Sequence, residues 1–192
     1  MSPKALVIAA VALLGVASVR AQNFTLPKLP FPYTATEPAI DRNTTEIHWT
    51  RHTQGYVNNL NAALVKCPDL RGQDLYELVT SVRNQGGGTY NHLLFFLHNQ
   101  APYGSQSWDR DASPALKQAV QSAFGSFETF KARFKQAALA VFGSGWAWLC
   151  LDESSKKLLV TSTPNQDNPL MEVAKTQCAP ILGLERDQLA GD

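Results

Sequence analysis

Charge is scarce in this chain. Asp, Glu, Lys and Arg make up 17% of its 192 residues, and 17 basic against 16 acidic side chains leave a formal net charge of +1. A nucleic-acid binder or a polybasic membrane anchor carries a clear basic excess, and neither class fits this balance. Long apolar runs are also missing. The longest, Ala5 to Ala17, is shorter than the roughly 20 residues that a membrane-crossing helix needs. It follows Lys4 and leads into Ser18-Val19-Arg20-Ala21, which is the layout of a secretory signal peptide with cleavage expected after Ala21. The mature chain then starts at Gln22, and losing Lys4 and Arg20 turns the balance from +1 to −1.

Cysteines number only three, Cys67, Cys150 and Cys178, and no two form a C-x-x-C pair, so neither a zinc ribbon nor a thioredoxin motif is supported. An odd count in an exported chain leaves at least one thiol over. One disulfide with one free thiol, or three buried thiols, both fit. The second is favoured because Cys150 lies in the apolar run Trp146 to Leu151. Phosphate loops are absent: Gly86-Gly87-Gly88 is not followed by Gly-Lys-Ser/Thr and reads as a helix stop. Gly143-Ser144-Gly145 lacks the frame of a hydrolase elbow and reads as a turn before a strand. Asp109 and Asp111 read as solvated loop acids rather than a catalytic pair. No internal repeat is present.

What is there follows a simple order. Pro27, Pro30, Pro32 and Pro38 mark an extended arm. Helices are expected from Asn43 or Thr44 to Leu64, from Gln73 to Arg83, from Thr89 to His98, from Pro114 to Phe124 and from Phe127 to Val141. The third is apolar nearly all round and therefore buried. Trp146 to Asp152 and Lys157 to Ser162 read as a hairpin around Asp152-Glu153-Ser154-Ser155. Trp146 and Trp148 are expected on opposite sides of the first strand, one in the core and one against a cavity. The domain reading is a signal peptide at 1–21, a helical-hairpin domain at 22–99, a linker at 100–113 rich in Pro, Gly, Ser and Asp, and an α/β domain with a small antiparallel sheet at 114–192. The fold class is α+β.

Two features carry chemistry. Of four histidines, His48 and His52 share a helix face, and His92 lies in the buried third helix. A buried imidazole needs a partner, because an unpaired one costs about 1–3 kcal/mol, and a metal would satisfy it. Asn23-Phe24-Thr25 and Asn43-Thr44-Thr45 fit the N-glycosylation pattern, which gains meaning in an exported chain.

Four separated blocks carry a family resemblance. They are Leu29-Pro30-Phe31-Pro32-Tyr33 with Glu37-Pro38; Glu46-Ile47-His48-Trp49-Thr50-Arg51-His52 with Gln54 to Asn61; Arg83 to Gly88 with Asn91-His92 and Leu94-Phe95; and Phe142 to Leu149 with Ser162-Thr163 and Asn165 to Leu170. Together with Phe124 to Phe127 they make the chain resemble the iron/manganese superoxide dismutases from Leu29 to Leu184. The resemblance implies disproportionation of superoxide at one metal held by three His and one Asp. It makes His48 and His92 ligands, Tyr56 the gate of the substrate channel, His52 a neighbour of that gate, Gln166 the partner of metal-bound solvent, and Trp146 an aromatic wall. Gly88 with Gln166 is the manganese-type pattern, with iron also possible. Superoxide is then the small-molecule partner, and the family implies a homo-oligomer.

The resemblance stops after Leu184. Glu185 stands at the ligand Asp position, Leu189 at the remaining ligand His position, and Gln188 where the family has a Glu that bridges the dimer. Glu185 keeps a carboxylate for the metal, but its extra methylene shifts the oxygens by about 1.5 Å. The expectation is a C-terminus that is truncated or alternatively spliced, with a weak open site of His48, His92 and Glu185 and an impaired interface. The alternative is an inactive dismutase scaffold that acts as a pairing partner.

Overall fold

A computed structural model describes residues 23–186. The signal peptide at 1–21, Gln188 and Leu189 lie outside the described residues.

The chain enters as an extended arm, pinned where Asn61 exchanges hydrogen bonds with the backbone N–H and C=O of Phe24, both 2.8 Å. The proline-rich stretch then makes one short 3-10 turn, Tyr33–Thr36. Asp41 caps the first helix by accepting from the N–H groups of Asn43 and Thr44. That helix is a continuous rod in three parts: α1 (Arg42–Ile47), a π-helical turn (His48–Thr53) and α2 (Gln54–Lys66). The Thr53 hydroxyl donates to the His48 carbonyl at 2.9 Å and holds the widened turn.

α3 (Leu75–Ser81) starts with a capping box between Asp74 and Glu77. After Val82 the chain enters α4 (Arg83–Leu94), which continues into a second π-helical turn, Phe95–Asn99. Here the sequence reading is corrected. Gly86, Gly87 and Gly88 do not stop a helix but lie in the first half of α4, all buried. Each glycine in a helix interior costs about 1 kcal/mol relative to Ala. What compensates is close packing: a Cβ at Gly86 would strike the Leu78 carbonyl, one at Gly87 the Gln166 carbonyl, and one at Gly88 the Tyr56 ring. The three glycines let α4 press against α3, the segment after the sheet's second strand, and α2 at once.

α5 (Trp108–Asp111) is a single turn, followed by α6 (Pro114–Phe124) and α7 (Phe127–Leu139), capped by Ser113 and Ser126. Gly125 at φ 81° lets α6 end and α7 begin at once. The acids read as loop residues sit in this stretch, and Asp111 pairs with Arg110 at 2.7 Å. The hairpin forms as expected, β1 (Gly145–Asp152) with β2 (Lys157–Pro164). A third strand, β3 (Ala179–Glu185), pairs with the other edge of β1, giving an antiparallel sheet in the order β2-β1-β3. The described residues thus form a helical hairpin followed by an α+β unit.

The sheet separates two cores. Trp146, Trp148 and Cys150 face Leu29, Trp49, Phe95 and Phe96, while Ala147 and Leu149 face α6 and α7 through Val120, Phe124, Phe130 and Phe134. The expectation that Trp146 and Trp148 take opposite faces is therefore corrected. Residues two apart on a strand share a face, and the two rings stack with centroids 5.6 Å apart. The cysteine reading is also corrected: Cys150 and Cys178 form a disulfide, and Cys67 is free and exposed. The apolar run around Cys150 buries the bridge rather than a thiol. With its ends 28 positions apart in sequence, the bridge contributes about 3–4 kcal/mol in the chain-entropy account.

Candidate metal centre

Three elements converge between the helical hairpin and the sheet. The π-helical turn brings His48, α4 brings His92, and the register of β3 on β1, which sets Glu185 opposite Trp146, brings Glu185. One ligand atom from each of the three lies within 4.8 Å of the others. His48 Nε2 stands 2.9 Å from Glu185 Oε2. The His48 and His92 rings meet edge to face with centroids 4.9 Å apart. Both histidines are buried, His92 to 1% exposure.

Their chemistry follows from their partners. His92 Nδ1 lies 2.7 Å from the Gly88 carbonyl, which can only accept, so Nδ1 carries the proton and Nε2 keeps its lone pair for a ligand. Burial, reinforced by His48, pushes the His92 pKa from 6.5 down to about 4. Burial works to raise the Glu185 pKa, but the hydrogen bond and charge of His48 outweigh it, and the carboxyl stays below its ordinary value. A neutral imidazole nitrogen and an ionised carboxylate are the donors that a divalent or trivalent manganese or iron ion accepts. The donor set fits such an ion.

A pH prediction follows from His92. The unfolded chain binds a proton on this side chain below about pH 6.5, and the folded one only below about pH 4. The metal-free fold has the full benefit above pH 6.5 and loses it as pH falls toward 4, by up to about 3 kcal/mol. Thermal melts of the metal-free protein between pH 7 and pH 4 read this loss. A flat melting temperature across that window contradicts the burial of His92.

The four residues expected around the ligands are distributed unevenly. Trp146 is fully buried, its ring 5.3 Å from His92. Its Nε1 donates to Gln166 Oε1 at 3.2 Å. Because Trp146 can only donate, the oxygen of the Gln166 amide faces it, and the amide nitrogen is left for the Tyr56 side, where the Gln166 side chain works to lower the Tyr56 pKa. Tyr56 is half-buried against His92, centroids 5.0 Å apart. Burial raises its pKa, as does the Glu185 charge, against the Gln166 hydrogen bond. His52 adjoins His48 at 5.7 Å between centroids but is exposed and stands outside the ligand cluster. The pocket over the three ligands measures about 380 Å³ and is lined by Tyr56, His52, Gln166 and Ser144 among others.

Sequence reasoning gave no role to several residues that shape this site. Phe96 meets the His48 ring edge-on at 5.0 Å, and Phe95 lies 5.9 Å from it. Phe96 was legible only as an apolar position of a buried helix, and Phe95 also as part of a block that resembles the family, without a role. The buried amides of Asn91 and Asn168, joined at 2.9 Å, are 77 residues apart in sequence, and no local pattern links them.

Comparison with known proteins gives consistent matches. Residues 23–99 match the description "Iron/manganese superoxide dismutases, alpha-hairpin domain", and residues 112–187 match the C-terminal domain of the same family. The chain is similar to "Superoxide dismutase [Mn]" of Acinetobacter baylyi, 43% identical over 170 residues that cover 85% of this chain and 72% of that protein. It is 44% identical over 173 residues to the protein of that name from Thermus thermophilus, covering 84% and 80% of the two chains. With the one from Escherichia coli K12 the identity is 43% over 176 residues, covering 85% and 81%.

Proposed function

The chain belongs to the iron/manganese superoxide dismutase family, and from that premise we propose how its own residues serve the activity. It is a superoxide dismutase of the manganese kind, with iron as the family's other metal. One superoxide gives up an electron and leaves as oxygen, and a second takes up that electron with two protons and leaves as hydrogen peroxide. His48, His92 and Glu185 hold the metal, and the metal when bound supplies the one-electron store between the two half-reactions.

The protein's other groups control access and protons. Tyr56, with its pKa raised by burial and by the Glu185 charge, is a neutral phenol at physiological pH. It therefore presents a hydroxyl and no negative charge to an incoming anion. Gln166, anchored by Trp146, places its carboxamide beside that hydroxyl in the pocket over the ligand cluster. His52, exposed beside His48, lies on the solvent side of the ligand cluster. The Trp146, Phe95 and Phe96 wall excludes larger reductants. The observation that carries this reading is the convergence of His48, His92 and Glu185 to within 4.8 Å at the floor of the Tyr56 pocket. It also favours an active enzyme over an inactive scaffold. The test is superoxide consumption by the full chain after loading with manganese, and separately with iron, against the metal-free protein.

The reading extends to location and assembly. The protein is exported by the secretory route and forms a homo-oligomer. Export is supported by the signal-like start, by the Cys150–Cys178 bridge, which suits an oxidising compartment, and by exposed Asn23 and Asn43 in glycosylation patterns. Association rests on the family resemblance. Expressed in a eukaryotic secretory host, the full chain is expected in the medium, starting at Gln22 and shifted by a glycosidase, with part of the shift lost in Asn43→Gln. A chain retained in the cell with Met1 in place overturns the export reading. The solution mass checks the oligomer.

A further inference from the structure

Gln166 lies on the segment between β2 and β3, which side-chain hydrogen bonds hold to α4. Its backbone carbonyl accepts from Asn91 Nδ2 at 3.1 Å. The other end of the Asn91 amide, Oδ1, accepts from Asn168 Nδ2 at 2.9 Å. Asn168 Oδ1 in turn accepts from the Leu170 N–H at 3.1 Å, closing a local turn. Both asparagines are fully buried. The residue between Gln166 and Asn168 is clamped as well: Asp167 takes two hydrogen bonds of 2.7 Å from the Arg83 guanidinium, and its carbonyl takes one of 2.6 Å from the Thr163 hydroxyl.

We propose that the buried Asn91–Asn168 amide pair is a positioning device for Gln166. It sets how far the Gln166 carboxamide reaches between Trp146 and Tyr56, and it does so from the helix that carries His92. This inference rests on the dismutase reading of Gln166.

A side chain whose own backbone is free samples several rotamers, and a carboxamide displaced by 1 Å loses a 3.2 Å hydrogen bond such as that to Trp146. Asn91 fixes the Gln166 carbonyl itself, so it fixes the point from which the side chain starts. Asn168 supplies the hydrogen bond that holds the Asn91 amide in the one orientation that donates to Gln166. Asn91 immediately precedes His92 in α4. The ligand and the carboxamide are therefore referred to one rigid frame rather than to two elements that drift independently. A mere core role needs none of this directionality, and a well-packed apolar pair fills the same space without the cost of desolvating two amides.

The test separates the local turn from the link to Asn91. Asn168→Ser keeps a side-chain acceptor for the Leu170 N–H, as serine does in equivalent turns, but cannot reach Asn91. The full-length, manganese-loaded variant is expected to lose about tenfold in kcat with little change in KM. In its crystal structure the Gln166 to Trp146 distance is expected to open beyond hydrogen-bond range. In a Gln166→Ala background the same substitution is expected to cost nothing further. A tenfold loss that persists in that background, or a Gln166 that stays in place, overturns the proposal. If Asn168→Ser does not fold, Asn168→Thr keeps the hydroxyl, restores more volume and carries the same test. A wild-type protein without dismutase activity overturns the functional reading alone, because the crystallographic position of Gln166 still decides this one.

Discussion

His92→Ala is expected to leave the protein without bound manganese and to lower dismutase activity by at least about 100-fold, the upper end of what the loss of a ligand's supporting partner alone produces. The substitution deletes the one donor whose lone pair is already free and aimed, since Nδ1 is committed to Gly88. The remaining pair, His48 and Glu185, stands at hydrogen-bond distance and closes on itself. Metal per chain, measured by mass spectrometry, and superoxide consumption should fall together. The metal-free variant should also lose the decline in melting temperature between pH 6.5 and 4 that His92 imposes. A variant that keeps its manganese and near-normal turnover removes His92 from the site.

How much of this was visible in the sequence depends on whether the cause was local. The starts of α6 and α7 were legible because Ser113-Pro114 and Ser126 are cap signals that act within one turn. The hairpin was legible because Asp152 accepts from Ser154 and Ser155 within its own turn. β3 was not, because Pro180 and Gly183 interrupt the strand pattern. The reason for Gly183 lies on another strand, where a Cβ would strike the Trp148 ring. The same holds in the site. His48, His92, Tyr56 and Gln166 stood out in motifs that resemble the family. The way Glu185 reaches His48 depends on a β1–β3 register and on a π-helical turn that no local pattern announces. The disulfide was misjudged for a related reason: burial of Cys150 is visible in the sequence, but its partner, 28 residues on, is not.

The site is thus assembled from contacts that each element makes at long range, and the glycines of α4 are what permit them. Among them, Gly87→Ala is the added methyl that bears most directly on Gln166. By helix propensity alone it should stabilise α4 by about 1 kcal/mol. In place, its Cβ meets the Gln166 carbonyl and comes within 2.6 Å of the Met171 methyl. The methionine tip can swing away, but the carbonyl cannot, because Asn91 holds it from the same helix. Either α4 or the segment from Asn165 to Leu170 must move, and overpacking of this kind costs about 1–3 kcal/mol, more where backbone is the obstacle. Set against the propensity gain, the net expectation is a loss of up to about 2 kcal/mol, seen as a melting temperature lower by up to roughly 8 °C for a chain of this size. Dismutase activity should fall with it, because the Gln166 carboxamide is carried off Trp146 and Tyr56. Gly55→Ala is the control. It also lies in a helix, α2, but nothing stands within 4 Å of its Cβ position, so propensity acts unopposed and the melt should rise slightly. If both variants shift in the same direction, close approach is not the reason for glycine at position 87, and the packing account of α4 fails.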